Sequence, residues 1–117
     1  IMTKQIYNLL NKIYPTYRQG SMSATQQYPD NFFTYWNNYS ELDSYYDDGD
    51  NLIIWSYDIN FYTCEIKNID EVLNGVVNQL RADNDIVIEQ YIHDVASDEP
   101  SHIGKGLTIS ILERRNK

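Results

Sequence analysis

Residues 52–66 read LIIWSYDINFYTCEI and carry the most regular hydrophobic pattern in the chain. Alternate positions hold large apolar side chains, namely Ile53, Trp55, Tyr57, Ile59 and Phe61. The residues between them are mostly polar. A period of two places the apolar set on one face of a β-strand. The pattern therefore predicts a strand with one packed face and one face in water.

A second strand is predicted at residues 32–37, which read FFTYWN, because aromatic residues favour strands. Residues 38–51 follow and contain no base but five acids: Glu41, Asp43, Asp47, Asp48 and Asp50. Asp48-Gly49-Asp50 is typical of a turn. The two strands and this acidic loop together predict a long hairpin.

Two segments have the 3.6-residue period of amphipathic helices. In residues 68–82 the apolar positions are Ile69, Val72, Leu73, Val76, Val77 and Leu80. In residues 3–13 they are Ile6, Leu9, Leu10 and Ile13, and Pro15 ends that helix. Residues 16–30 are polar and predict a connecting loop, within which an extended stretch is compatible with the sequence.

The C-terminal third predicts two further strands, at residues 86–95 and 107–112, joined by a loop at 96–106. Gly104 and Gly106 are expected to form a tight turn that enters the last strand. The resulting order, α-β-β-α-β-β, predicts an α+β fold with a mostly antiparallel sheet and two helices packed on it. Ile1 precedes Met2 and is left out, so one domain is expected over residues 2–117.

Charge and composition narrow the classes of partner. Nine basic residues against seventeen acidic ones give a net charge of −8, which disfavours specific binding to nucleic acid. No apolar run is long enough for a transmembrane helix, and IMTKQIYNLL lacks the core of a signal peptide. We therefore expect no membrane association and no export. The single cysteine, Cys64, permits no internal disulfide and fits a reducing cytosol.

The sequence contains no strong motif for catalysis or for binding of a metal or a phosphate. His93 and His102 are too far apart in sequence for a familiar zinc spacing, and Cys64 has no adjacent base in sequence. The acidic group at 43–50 departs from the spacing of a calcium loop. Gly104-Lys105-Gly106 lacks the spacing of a phosphate loop. These observations predict no metal, no cofactor and no enzymatic activity.

Three segments resemble the small tail-completion proteins of long-tailed bacteriophages and prophages, also called tail terminators or minor tail proteins. They read FFTYWNN at 32–38, NLIIWSYDINFYT at 51–63 and YIHDVASDEPSHIGKGLTISIL at 91–112. The most specific part is DVASDEP at 94–100, followed by His102, Gly104 and Gly106. The resemblance covers residues 4–112, and the acidic hairpin loop and the long polar segment at 16–30 depart from it.

The resemblance implies a structural protein that is assembled in the host cytoplasm and resides in the virion tail. Such proteins form a ring, usually a hexamer, at the head-proximal end of the tail tube. The ring ends tail polymerisation and allows head–tail joining, so the implied partners are further copies of the chain, the tail tube protein and the head–tail connector. DNA passes through the ring without specific binding.

Candidate interface residues lie in two places. The acids Asp43, Asp47, Asp48 and Asp50 are expected to line or flank the channel or to meet a neighbour. Asp98, His102 and Lys105 belong to the 96–106 loop, which is expected to contact a subunit or the tube. A purely local turn, in which Ser97 and Asp98 bond nearby amides, remains an equal alternative. The alternative function is a small acidic binding or inhibitory module that engages a basic protein partner.

Overall fold

The computed structural model describes residues 2–18, 29–43, 51–65, 67, 69–83, 85–97 and 101–115. Its two helices are α1 (Met2–Asn11) and α2 (Ile69–Arg81). Its five strands are β1 (Thr16–Arg18), β2 (Asn31–Asp43), β3 (Asn51–Thr63), β4 (Ile86–Val95) and β5 (Ile103–Arg115).

The strands form one sheet in the order β1-β2-β3-β5-β4. Only β1 and β2 are parallel, and every other neighbouring pair is antiparallel. The predicted α+β fold, with a mostly antiparallel sheet and two helices, is confirmed. The hairpin of β2 and β3 is also present, with Phe33 opposite Phe61 and Tyr35 opposite Ile59.

Both helices cover the same face of the sheet, where the alternating residues of β3 meet the helical stripes. α1 contacts β1 and β2, and α2 contacts β4, β3 and β5. The strands contribute these buried side chains to the core: Phe33, Tyr35, Tyr57, Ile59, Phe61, Leu107, Ile109 and Ile111. The helices add Ile6, Leu10, Ile69, Leu73, Val76, Val77 and Leu80. Burial of these apolar surfaces is the main force that holds the helices on the sheet.

The strand predicted at residues 32–37 was too short. β2 runs from Asn31 to Asp43, so Asp43 ends a strand and does not lie in the predicted loop at 38–51. Pairing with β3 extends β2, because each added residue satisfies backbone groups that a loop would leave to water. β1 lies in the polar 16–30 segment and is an extended stretch of the kind that the sequence allowed there; its three residues pair with Phe33, Thr34 and Tyr35.

The predicted turn at Gly104 and Gly106 is wrong, because both glycines lie inside β5. A Cβ on Gly104 would come within 2.7 Å of the Tyr62 ring, and one on Gly106 would collide with the Asn60 side chain. Each glycine is therefore explained by a side chain of β3 that lies across it. The loop predicted at 96–106 accordingly ends before Ile103.

The molecule is elongated, with principal extents of 52 × 28 × 23 Å. Its radius of gyration is 15.6 Å, whereas about 13 Å is expected for a compact chain of this length. The cause is that β2, β3 and β5 are each 13 residues long, whereas β4 begins only at Ile86, opposite Ile111. Beyond that level the three long strands continue as a ribbon, here named the arm: residues 41–43, 51–54 and 112–115.

Candidate functional site

The face of the sheet opposite the helices, here named the open face, carries a connected row of polar groups. Trp36 on β2, Asp58 on β3 and Thr108 on β5 are neighbours in the ladder. The Trp36 indole Nε1–H donates to Asp58 Oδ2 at 2.8 Å, and the Thr108 hydroxyl donates to Asp58 Oδ1 at 2.7 Å. The row therefore ties the three middle strands together on the side that no described helix covers.

The Asp58 carboxylate is the centre of this row. Partial burial opposes its ionisation, but hydrogen bonds from Thr108, Trp36 and Asn38 outweigh that effect, with a smaller contribution from His93. The net result is that the pKa of Asp58 lies below its ordinary value of 3.8. Asp58 is therefore an anion throughout the neutral range, held by donors from two flanking strands.

The network also fixes the orientation of Trp36. Its side chain is 48% exposed, yet its only polar atom is bonded to Asp58. An exposed indole that is already held in one orientation loses little conformational entropy when a partner covers it. Trp is also enriched at the centres of protein interfaces. Trp36 is therefore suited to contact with the surface of another molecule.

One end of the open face holds a second group, here named the aromatic cluster: Tyr17, Phe32, Tyr62 and His102. The rings of Phe32 and Tyr62 stack with centroids 5.2 Å apart. His102 meets the edge of Phe32 at 5.7 Å, and Tyr17 meets it at 6.2 Å. The cluster shows that the open face is apolar and packed at this end, whereas the sequence pattern predicted a mostly polar face in water.

His102 is buried in this cluster and joins two chain segments that are distant in sequence. Its Nε2 lies 2.8 Å from the Pro29 carbonyl oxygen, and its Nδ1 lies 2.9 Å from the Ser101 hydroxyl. A carbonyl oxygen only accepts, so in the neutral ring Nε2 carries the proton and Nδ1 accepts from Ser101. His102 therefore holds the residues just before β2 against the residues just before β5.

Cys64 lies next to His102, which sequence reasoning did not anticipate. The Sγ atom is 3.4 Å from His102 Nε2 and 3.9 Å from Asp30 Oδ1. The Nε2 proton already points at Pro29, so that nitrogen does not serve as a base for the thiol. Cys64 is exposed, but partial desolvation by its neighbours, followed by the charges of Asp30 and Glu65, raises the pKa of its thiol. A raised pKa disfavours the thiolate and is the opposite of what a nucleophile requires.

Lys105 lies on the other side of the sheet from His102. Its Nζ donates to Asp70 Oδ1 at 3.0 Å and so links β5 to the first turn of α2. This hydrogen bond is the largest cause of a raised pKa for Lys105. The two described candidates of the 96–106 segment therefore do not form one surface.

The remaining predicted site residues are less defined. Asp43 is the last residue of β2 and pairs with Leu52 at the end of the arm. Asp47, Asp48, Asp50 and Asp98 lie outside the described residues. The sequence analysis did not predict the Trp36–Asp58 hydrogen bond. The one sequence signal for it was that both residues lie on the more polar faces of the two strands of a predicted hairpin.

Within the described ranges, no three His, Cys, Asp or Glu side chains are grouped so that they would hold a metal ion. Neither α1 nor α2 has the length and hydrophobicity that crossing a membrane requires. No protein-family model matches the chain, and no curated protein sequence matches it.

Proposed function

We propose that this protein is a bacteriophage structural protein that closes the head-proximal end of the tail tube as a ring, ends tail polymerisation and allows head–tail joining. The virion tail is its proposed location, after assembly in the bacterial cytoplasm. The sequence resemblance at 32–38, 51–63 and 91–112 is the starting point of this proposal. The observation that supports it best is the arm.

Among the described residues, the arm contributes no side chain to the buried core. Ile53 and Ile54 point to opposite faces, and Leu112 pairs with Ile54, so apolar side chains occur on both sides of the ribbon. All three are only half-buried, and none belongs to the buried core. Apolar side chains on a projecting ribbon are typical of a surface that another protein covers. A ring subunit supplies such a cover by packing on its neighbour.

The charge of the protein is compatible with DNA passing through such a ring. The net charge is −8, and the segment between β2 and β3 contains Asp47, Asp48 and Asp50. Carboxylates around a channel repel phosphates, so DNA is not retained. This favours a passive conduit over a nucleic-acid-binding protein.

Polymerisation of the tail tube protein in vitro tests the proposal. Tubes are grown from purified tube protein of the same phage, with and without this chain, and their lengths are measured by electron microscopy. We expect shorter tubes and a ring of extra density at one end. Identical length distributions with no end density would refute the assignment. A Lys67→Glu variant, altered on the connection between β3 and α2, serves as a control that retains capping.

A second candidate is an acidic binding module that engages a basic protein, and the net charge of −8 is the observation in its favour. Light scattering over a concentration series distinguishes the two functions. Ring-sized particles, either alone or on tubes, favour the tail protein. A chain that stays monomeric in both settings and captures a basic protein favours the module.

A further inference from the structure

Among the described residues, the two lateral edges of the sheet carry opposite charge. At one edge lie α1 and β1, and residues 2–18 contain Lys4, Lys12 and Arg18 with no acid. We name this the basic edge. At the other edge lie α2 and β4, here named the acidic edge. Its residues 69–97 contain one Arg or Lys, Arg81, against six acids: Asp70, Glu71, Asp83, Asp85, Glu89 and Asp94. Lys105 of the neighbouring strand β5 forms an ion pair with Asp70 and so offsets part of this charge, but acids still outnumber bases at this edge.

The opposite charges are too far apart to neutralise each other within one chain. Five strands separate the edges by four inter-strand spacings, which is about 19 Å. At physiological ionic strength, interactions between exposed charges are screened over about 8 Å. Lys12 is exposed on the basic edge, and all six acids are exposed on the acidic edge. Contact between two copies would bring the basic edge of one within this screening distance of the acidic edge of the other.

Each edge also carries an exposed apolar side chain whose orientation is fixed. On the basic edge, Tyr7 is 36% exposed and packs edge-on against Tyr35 with ring centroids 6.3 Å apart. On the acidic edge, Tyr91 is 52% exposed, and its hydroxyl donates to Asn74 Oδ1 at 2.6 Å. Val87 is 43% exposed on the same strand. Aromatic anchors surrounded by charge are the usual composition of a protein interface.

The irregular register of β4 disfavours pairing of its outer edge with a strand of another copy. The ladder between β4 and β5 is irregular between Ile88 and Gln90 and again between Gln90 and His93. Such bulges interrupt the row of backbone groups at an edge and protect it from pairing with another strand. An interface at this edge therefore relies on side chains.

We propose that the basic edge of one copy docks on the acidic edge of the next, through side chains, in a head-to-tail contact that repeats around a ring. This inference rests on the proposed function, which supplies the ring. Two different patches that meet in this way form a heterologous interface, and such an interface closes into a ring when the rotation allows it. The occupant of each edge is thus a second copy of this chain.

Charge reversal at one residue of each edge tests the contact. Lys12→Glu, Glu89→Lys and the double variant are compared with the wild-type chain by sedimentation equilibrium at low ionic strength. Each single variant is expected to weaken self-association by about tenfold or more, because like charges then face each other. The double variant is expected to associate within about threefold of the wild type, because each contact regains an opposite pair.

The two single variants separate edge pairing from general repulsion. Glu89→Lys changes the net charge from −8 to −6, so repulsion between whole molecules alone would strengthen association, whereas edge pairing predicts weakening. Lys67→Glu is the matched control for Lys12→Glu and is expected to have a smaller effect. If association occurs only on tail tubes, the same variants are ranked by ring occupancy in electron micrographs.

The outcomes distinguish this inference from the proposed function. A ring that forms equally well with both single variants overturns the edge contact and leaves the tail protein intact. A wild-type chain that forms no ring, alone or on tubes, overturns both. Weakening by each single variant with recovery in the double variant supports the contact.

Discussion

Gly104 is closely enclosed by side chains and Gly75 is not, so replacement by alanine is expected to change stability in opposite directions. Gly104 lies under the Tyr62 ring, with the Val95 side chain also within 2.9 Å of a built Cβ. Gly104→Ala is expected to lower the free energy of unfolding by about 1–3 kcal/mol, because the strands must shift. Gly75 in α2 has nothing within 4 Å, so Gly75→Ala is expected to raise it by about 0.5–1 kcal/mol.

Urea denaturation of the two variants measures both changes against the same wild type. The pair provides its own control, since each adds one methyl group to the chain. A Gly104→Ala variant as stable as the wild type would mean that Tyr62 moves away at no cost. That result would contradict the packing described for the aromatic cluster.

Asp58 predicts a specific acid dependence of stability. Its pKa in the folded protein lies below its ordinary value, so its ionised form stabilises the fold. That contribution is fully present above the unfolded pKa of about 3.9 and is lost as the pH falls through the folded value. Asp58→Asn is therefore expected to cost about 1 kcal/mol at pH 7, because charged hydrogen bonds are lost. The difference from wild type should disappear at strongly acidic pH.

Chemical denaturation from pH 7 down to the acid limit checks this expectation. Asp94→Asn, altered at an exposed position of β4, controls for the loss of a surface carboxylate. Tryptophan fluorescence in a Trp55→Phe background gives a second readout, because Trp36 is then the single indole and release of its Nε1–H from Asp58 changes its environment. A stability difference that is constant over the whole pH range would show that ionisation of Asp58 is not the cause.

At the scale of elements, Thr63 closes the β2–β3 hairpin at the end opposite the arm. Its buried hydroxyl donates to Asn31 Oδ1 at 2.6 Å and accepts from the Glu65 backbone N–H at 2.9 Å. Thr63→Val keeps the shape but removes both bonds. It is expected to lower the free energy of unfolding by about 1–3 kcal/mol, because both hydrogen bonds of the buried Thr63 hydroxyl are lost.

Thr63→Ser is the matched control, since it retains the hydroxyl and removes only a methyl group. Thermal unfolding of the two variants should place serine closer to wild type than valine. The reverse order would mean that the methyl group, and not the hydrogen-bond pair, holds this end of the hairpin together.

Elements with a strong period were predictable from sequence, and those that depend on a neighbour were not. α2 and β3 follow from their own residues, because each carries its apolar stripe at regular spacing. β1 has only three residues and exists because Phe33–Tyr35 of β2 offers a ladder. Gly104 and Gly106 suggested a turn, since the side chains that require them, on Tyr62 and Asn60, come from another strand.

The same reasoning explains which site residues were missed. The Trp36–Asp58 hydrogen bond depends on a register that pairs residues 22 positions apart. The His102–Pro29 contact joins residues 73 positions apart. Neither separation follows from local periodicity, which determines which face a residue occupies but not which residue lies across from it.

At the scale of the whole molecule, the arm lies beyond the part of the sheet that forms the buried core. The buried core ends at the level of Ile111, and the arm continues beyond it to Asp43. Asp43 lies at the end of the arm, and Asp47, Asp48 and Asp50 belong to the segment between β2 and β3 that lies outside the described residues. Replacing all four by asparagine removes four negative charges from a chain whose net charge is −8. Since like charges repel, the monomer should be at least as stable as wild type.

The consequence for assembly is expected to be different, because the proposed channel would lose its repulsion of phosphate. Head–tail joining is measured by complementation of a phage that lacks this gene, with unfolding of the purified variant measured in parallel. We expect normal folding and impaired joining, with DNA retained on the ring in a binding assay. Normal joining by a normally folded variant would show that these acids neither flank the channel nor meet a neighbour. The edge contact between copies would stand, because none of the four positions belongs to the basic or the acidic edge.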